Sequence, residues 1–185
     1  REPGDTHKET WTTATRSAAA GGVTTVVDQP NTDPPTVSGS AYDRKAELAS
    51  AARVDFGLNG GVTADWEPES LFDRPLVALG EVFLADSTGG MGIDAELFAD
   101  AVDRATAAGV TVTVHAEDAS LFDEGTRERE DADAWSAYRT AEAEIAAIER
   151  ACAVAGEAGA RIHVAHTSTP EGIDAAADAG MTCEV

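Results

Sequence analysis

Six short runs rich in β-branched and other apolar residues punctuate the chain: VTTVVD (23–28), VDFGLN (54–59), VALGEVFL (77–84), VTVTVH (110–115), RIHVAH (161–166) and MTCEV (181–185). They lack a sustained apolar/polar alternation, and helical patterns lie between most neighbours, at 41–52, 94–108, about 134–158 and from Pro170 to about Ala179. A further helix is predicted from about His7 to Ala20, with Thr6 as its cap and Glu9 at the capping-box position. Strands of this kind joined by helices form parallel sheets covered on both faces.

Doubly wound sheets and (β/α)8 barrels both satisfy that pattern. The polar residues favour the barrel. Asp28, Glu81, His115 and His166 all lie on strands or at their ends, followed by polar loops. A barrel gathers such C-terminal ends at one site, whereas an open sheet spreads them across its width. Neither GxGxxG nor GxxxxGK[ST] occurs, which counts against a nucleotide-binding doubly wound fold.

A length of 185 residues and 43% hydrophobic residues suit one domain with a substantial core. The 34 acidic and 13 basic residues give a formal charge of −21, spread through every segment. That charge opposes binding to nucleic acid or an anionic membrane. It reads as a solvated surface suited to high salt, the competing reading being an acidic face for a partner. Cys152 and Cys183 belong to no CxxC pair and are expected to be buried, reduced thiols of a cytoplasmic protein. No apolar run is long enough to span a bilayer.

Of the four histidines, His7 falls on a polar helical face and is expected to be solvated. His163 and His166 are an odd number apart on one strand, so they point to opposite faces. His166, last before the loop TSTPEG, is placed at the site, and His163 is placed as a satisfied core histidine toward the helices. His115 ends its strand and is followed by AED. Two histidines at the ends of successive strands, with a strand carboxylate, suit a zinc-type centre. Simple hydrogen bonding of both histidines in a polar barrel mouth is the alternative that spacing leaves open.

The blocks REPG-DTHKE, AAAGGVTTVVDQPNTDPP, VHAED and HVAHTSTPEG, in that order, resemble the dihydroorotases of the amidohydrolase superfamily. The last two blocks are shared more loosely with allantoinases and hydantoinases. The resemblance covers essentially the whole chain. It implies a (β/α)8 TIM-type barrel, of which residues 1–185 form the part from after strand 1 to about strand 7. The implied chemistry is metal-dependent, reversible conversion of dihydroorotate and water to N-carbamoyl-aspartate in pyrimidine biosynthesis, with Zn2+ as one or two ions.

By that resemblance His115 and His166 are metal ligands, and Arg1 and Asn31 grip the substrate carboxylate. A guanidinium fork suits a planar carboxylate, although Asn31 also reads as a turn residue. YRTAEAE resembles the family's Arg-Pro-x-x-Ala-Glu segment, with Thr140 where proline is usual, and gives Arg139 and Glu144 structural roles. The partner expected is a small molecule, with no nucleic acid or membrane, and a homodimer is an allowed assembly.

Two departures matter. The family's His-x-His would fall just before Arg1, and its ligand and general-base Asp beyond Val185. The chain, which opens on a charged turn without Met, is therefore expected to be an incomplete catalytic barrel that does not turn over dihydroorotate alone. The other departure is Glu81, standing where many relatives carry a carboxylated lysine that bridges two metals. Glutamate keeps an anionic two-oxygen end but is about three bonds shorter, while paired ions sit roughly 3.5–4 Å apart. Glu81 is thus expected to ligate one ion, or to bridge two if strand or ions shift inward. Pairing with an arginine or a backbone amide at the barrel rim is the alternative. Another cyclic-amide hydrolase, such as an allantoinase or hydantoinase, and a non-catalytic scaffold remain as alternative functions.

Overall fold

The computed structural model describes residues 2–85 and 90–185. It alternates helices and strands: α1 Trp11–Ala20, β1 Thr25–Asp28, α2 Gly39–Ala49, β2 Asp55–Leu58, α3 Pro68–Phe72, β3 Leu79–Phe83, α4 Ala95–Ala108, β4 Val112–His115, α5 Ala134–Tyr138, α6 Ala141–Glu157, β5 Ile162–Val164, α7 Pro170–Asp178 and β6 Thr182–Cys183. Every strand pairing is parallel, β1 with β2 and then β3-β4-β5-β6 in chain order. A parallel bridge from Gly60 to Leu79, with Val77 N–H donating to Leu58 O at 3.0 Å, joins the two sets. Doubly wound sheets reverse strand order at a switch point; among the described residues the order does not reverse, as in an arc of a (β/α)8 barrel.

The helices cover this arc through one apolar core. Leu58, Leu79 and Val112 of the strands are buried with Phe98 and Val102 of α4 and Ile148 of α6. Buried Ala143, Ala147, Ala151 and Ala155 line one side of α6, where small side chains permit close packing. Among the described residues no helix is long and apolar enough to cross a membrane.

Three local expectations require correction. Helix α1 starts at Trp11, not His7: the Thr10 and Thr13 hydroxyls make a reciprocal capping box, and Glu2 Oε2 accepts from Trp11 N–H at 2.6 Å. The helix expected over 134–158 breaks at Arg139, because Thr140 is extended and caps α6 by accepting from Ala143 N–H. Cys183 is only half-buried, whereas Cys152 is buried; both are free thiols.

Glycine matters most at Gly80. It has φ +140°, and a Cβ there would overlap the Thr113 carbonyl and hydroxyl oxygens. The β3–β4 register breaks between Leu79 and Val82, so a bulge brackets Gly80 and Glu81. Bulges re-aim side chains, and this one explains how a carboxylate can sit within the apolar run VFL.

Candidate metal centre

Glu81 leaves β3 at the bulge, His115 ends β4, and His166 follows β5. The expectation that His166 belongs to the strand is not met: β5 ends at Val164. His166 instead has φ +38°, a left-handed conformation that costs a non-glycine residue energy and recurs at functional sites. His115 Nδ1 lies 3.0 Å from His166 Nε2 and 3.6 Å from Glu81 Oε2, and His166 Nε2 lies 3.3 Å from the same oxygen. One potential ligand atom from each of the three residues falls within 4.8 Å of the others. Two imidazole nitrogens and a carboxylate oxygen, converging at the C-terminal end of parallel strands, form a donor set that fits a divalent ion such as zinc. Among the described residues the Glu81 carboxylate meets histidines and no arginine.

Contact among the three side chains shifts how each holds its proton. Contact with His115, then the hydrogen bond with His166, keep the Glu81 carboxyl at about 2, against the opposing effect of burial. Burial disfavours a charged His115, yet hydrogen bonds to Glu117 and Glu81 outweigh it and raise its pKa. Bonding to Glu81 likewise raises that of His166.

The surroundings fix these side chains from two directions. His115 Nε2 lies 2.7 Å from Glu117 Oε2, and the Arg139 guanidinium closes on that same carboxylate oxygen. Glu144 Oε1 accepts from Ser168 N–H at 3.0 Å, Thr169 N–H at 2.8 Å and the Thr169 hydroxyl at 2.6 Å, anchoring the loop that carries His166. A cavity of about 290 Å³ lies alongside, lined in part by His115, Glu117, Arg139, Glu144 and His166. On the other side, Gln29 Oε1 accepts from Glu81 N–H at 3.0 Å and from Asn59 Nδ2 at 3.2 Å. The buried Lys45 holds this edge, its Nζ 2.7 Å from Asp28 Oδ2 and 2.8 Å from the Gln29 carbonyl. Asp28 is therefore tied to Lys45, and no such ion pair was expected from sequence.

Asn31 is exposed in the loop after β1, and among the described residues no hydrogen bond joins it to the cluster. Arg1 lies outside the described residues. Gly4, with φ +97°, packs where a Cβ would meet Asp33, so Gly4 abuts the loop bearing Asn31. His163 is half-buried, not a core residue, and its Nδ1 lies 2.9 Å from the Thr182 hydroxyl oxygen. His7 is solvated, as expected.

Glu117 and Gln29 were assigned no role from sequence. For Glu117 the only signal was its place two residues after His115 in VHAED. Gln29 carried none, since its partners lie 30 and 52 residues away.

A family model described as dihydro-orotase-like matches residues 1–172. Over its full length the chain is 69% identical to a dihydroorotase of Halobacterium salinarum, covering 44% of that protein. It is 35% identical to an allantoinase of Rubrobacter xylanophilus, with 99% of the chain and 44% of the relative aligned. The fold matches an L-hydantoinase (dihydropyrimidinase) from Arthrobacter aurescens at a TM-score of 0.84 and 28% identity, over 92% of this chain and 40% of that one. The chain thus spans less than half the length of these relatives.

Proposed function

The chain belongs to the dihydroorotase-like family, and from that premise we propose that it is the metal-bearing part of a dihydroorotase, interconverting dihydroorotate and N-carbamoyl-aspartate in pyrimidine biosynthesis. The observation that carries this reading is the convergence of Glu81, His115 and His166 within 4.8 Å at the C-terminal end of the strands. In it residues 1–185 are an incomplete barrel domain, from after the first strand to about the seventh.

Glu81, His115 and His166 would hold the ion, which we take to be zinc. When bound, zinc polarises a carbonyl and lowers the pKa of a water to about 7, supplying the chemistry that cleaves or closes a cyclic amide. Arg1 and Asn31 hold the substrate carboxylate and orient the ring toward the ligand cluster. Glu144 keeps the His166 loop in place through its three bonds to Ser168 and Thr169. The surface of net charge −21 suits a cytoplasmic protein at high salt that binds neither nucleic acid nor membranes. A homodimer is compatible with this reading.

Allantoinases and hydantoinases share the fold, so substrate choice is the discriminating test. The complete zinc-loaded enzyme is expected to cyclise N-carbamoyl-aspartate and to leave allantoin and hydantoin unreacted. The 185 residues alone are expected to turn over none of them. Preference for allantoin or hydantoin would overturn the substrate assignment, and turnover by the 185 residues alone would overturn the incomplete-site reading.

A further inference from the structure

The ring nitrogens of His115 face opposite ways. Nδ1 looks into the cluster, 3.0 Å from His166 Nε2, while Nε2 looks out, 2.7 Å from Glu117 Oε2. Arg139 contacts both Glu117 and, at 3.3 Å, His115 Nε2. A guanidinium only donates, and the carboxylate oxygen 2.7 Å from Nε2, closer than Arg139 at 3.3 Å, calls for a proton on that nitrogen. Glu117 accepts twice, once from Arg139 and once from a proton on His115 Nε2. A neutral His115 then carries its lone pair on Nδ1, toward Glu81 and His166.

We infer that Glu117, held in place by Arg139, is a positioning residue that fixes the His115 tautomer and ring orientation needed to ligate the ion. This rests on the metal-site reading above and extends it to a residue pair outside the ligand set. Arg139 is itself constrained: its guanidinium lies 5.5 Å from the Phe122 ring centroid and 5.9 Å from that of Trp135. Glu117 and Arg139 side chains are 17% and 18% exposed, so water competes only partly for their charges. The carboxylate–imidazole pair also makes His115 a more basic ligand, and losing such a partner typically weakens metal binding by about 10–100-fold.

The test combines zinc titration with nuclear magnetic resonance of the zinc-loaded chain. In the unmodified protein the His115 Hε2 proton should be observed, protected from exchange by Glu117. Glu117→Ala should lose that resonance and weaken zinc binding about 10–100-fold. Glu117→Gln, whose amide oxygen can still accept, should fall between the two and serves if the alanine variant does not fold. Zinc affinity within twofold of the parent in these variants, with Hε2 still protected, would overturn the role of Glu117 while leaving the metal site standing. If the unmodified chain binds no zinc, both readings fail together.

Discussion

His115 and His166, 51 residues apart, bring Nδ1 and Nε2 to 3.0 Å of one another, with one oxygen of Glu81 within 3.6 Å of each. Each of these side chains reaches the others through a different device: a strand end for His115, a left-handed backbone for His166 and a bulge for Glu81. Local order is thus spent on one constellation, which is the usual signature of a functional site.

The metal-free chain should be most stabilised by this cluster within a defined pH window. Glu81 is depressed from 4.5 to about 2, so its contribution is present above about 4.5 and is lost as pH falls toward 2. The histidines are raised above 6.5, so theirs is complete below that value and is lost as pH rises through their raised pKa values. Urea midpoints in a chelator should therefore show a cluster-dependent gain between about 4.5 and 6.5 that Glu81→Gln removes. A pH profile unaltered by that substitution would contradict the assignment.

Gly80→Ala should destabilise the fold by about 3 kcal/mol or more, combining left-handed strain with overlap against Thr113. Denaturant unfolding measures it. A loss below about 1 kcal/mol, the scale of ordinary substitutions, would show that the bulge is not needed.

Glu144→Ala should cost about 1 kcal/mol by removing the side-chain acceptor of the half-buried Thr169 N–H and the exposed Ser168 N–H. It should also weaken zinc binding, because those groups anchor the loop bearing His166. Glu144→Gln keeps an accepting oxygen and should recover part of both losses. Calorimetric melting and zinc titration read the two effects separately.

The strands and their parallel arrangement were legible because burial on both faces leaves a continuous apolar run with helices between. His115, His166 and Glu81 were legible as polar residues on or beside such runs. What escaped is tertiary. The break at Arg139 follows from its engagement with Glu117, 22 residues away, and the capping power of Thr140. The start of α1 was misplaced because Thr6 and Glu9 fit the usual capping pattern, while the actual cap uses Thr10 and the distant Glu2. Helix α3, five residues opened by Pro68, is too short to show periodicity. Strand parity also placed His163 opposite His166, but His166 lies beyond the ladder, where parity no longer governs.

Salt should stabilise the chain. Exposed pairs such as Arg74–Asp43 and Arg129–Asp131 contribute little and are screened. With 34 acidic against 13 basic residues, repulsion among like charges outweighs these attractions. Relief of about 2 kcal/mol would raise the melting temperature by roughly 4–8 °C for a chain of this size. Melting curves from low to molar KCl test this, and a flat or falling trend would count against the high-salt reading of the surface.

The most direct test of the account is a calorimetric zinc titration of the chain beside its Glu81→Ala, His115→Ala and His166→Ala variants. The three-residue centre predicts saturable binding by the parent and a loss of at least about 10-fold in affinity for each variant, no smaller than the loss of a supporting partner. Zinc binding of equal affinity and stoichiometry in the parent and all three variants would contradict it.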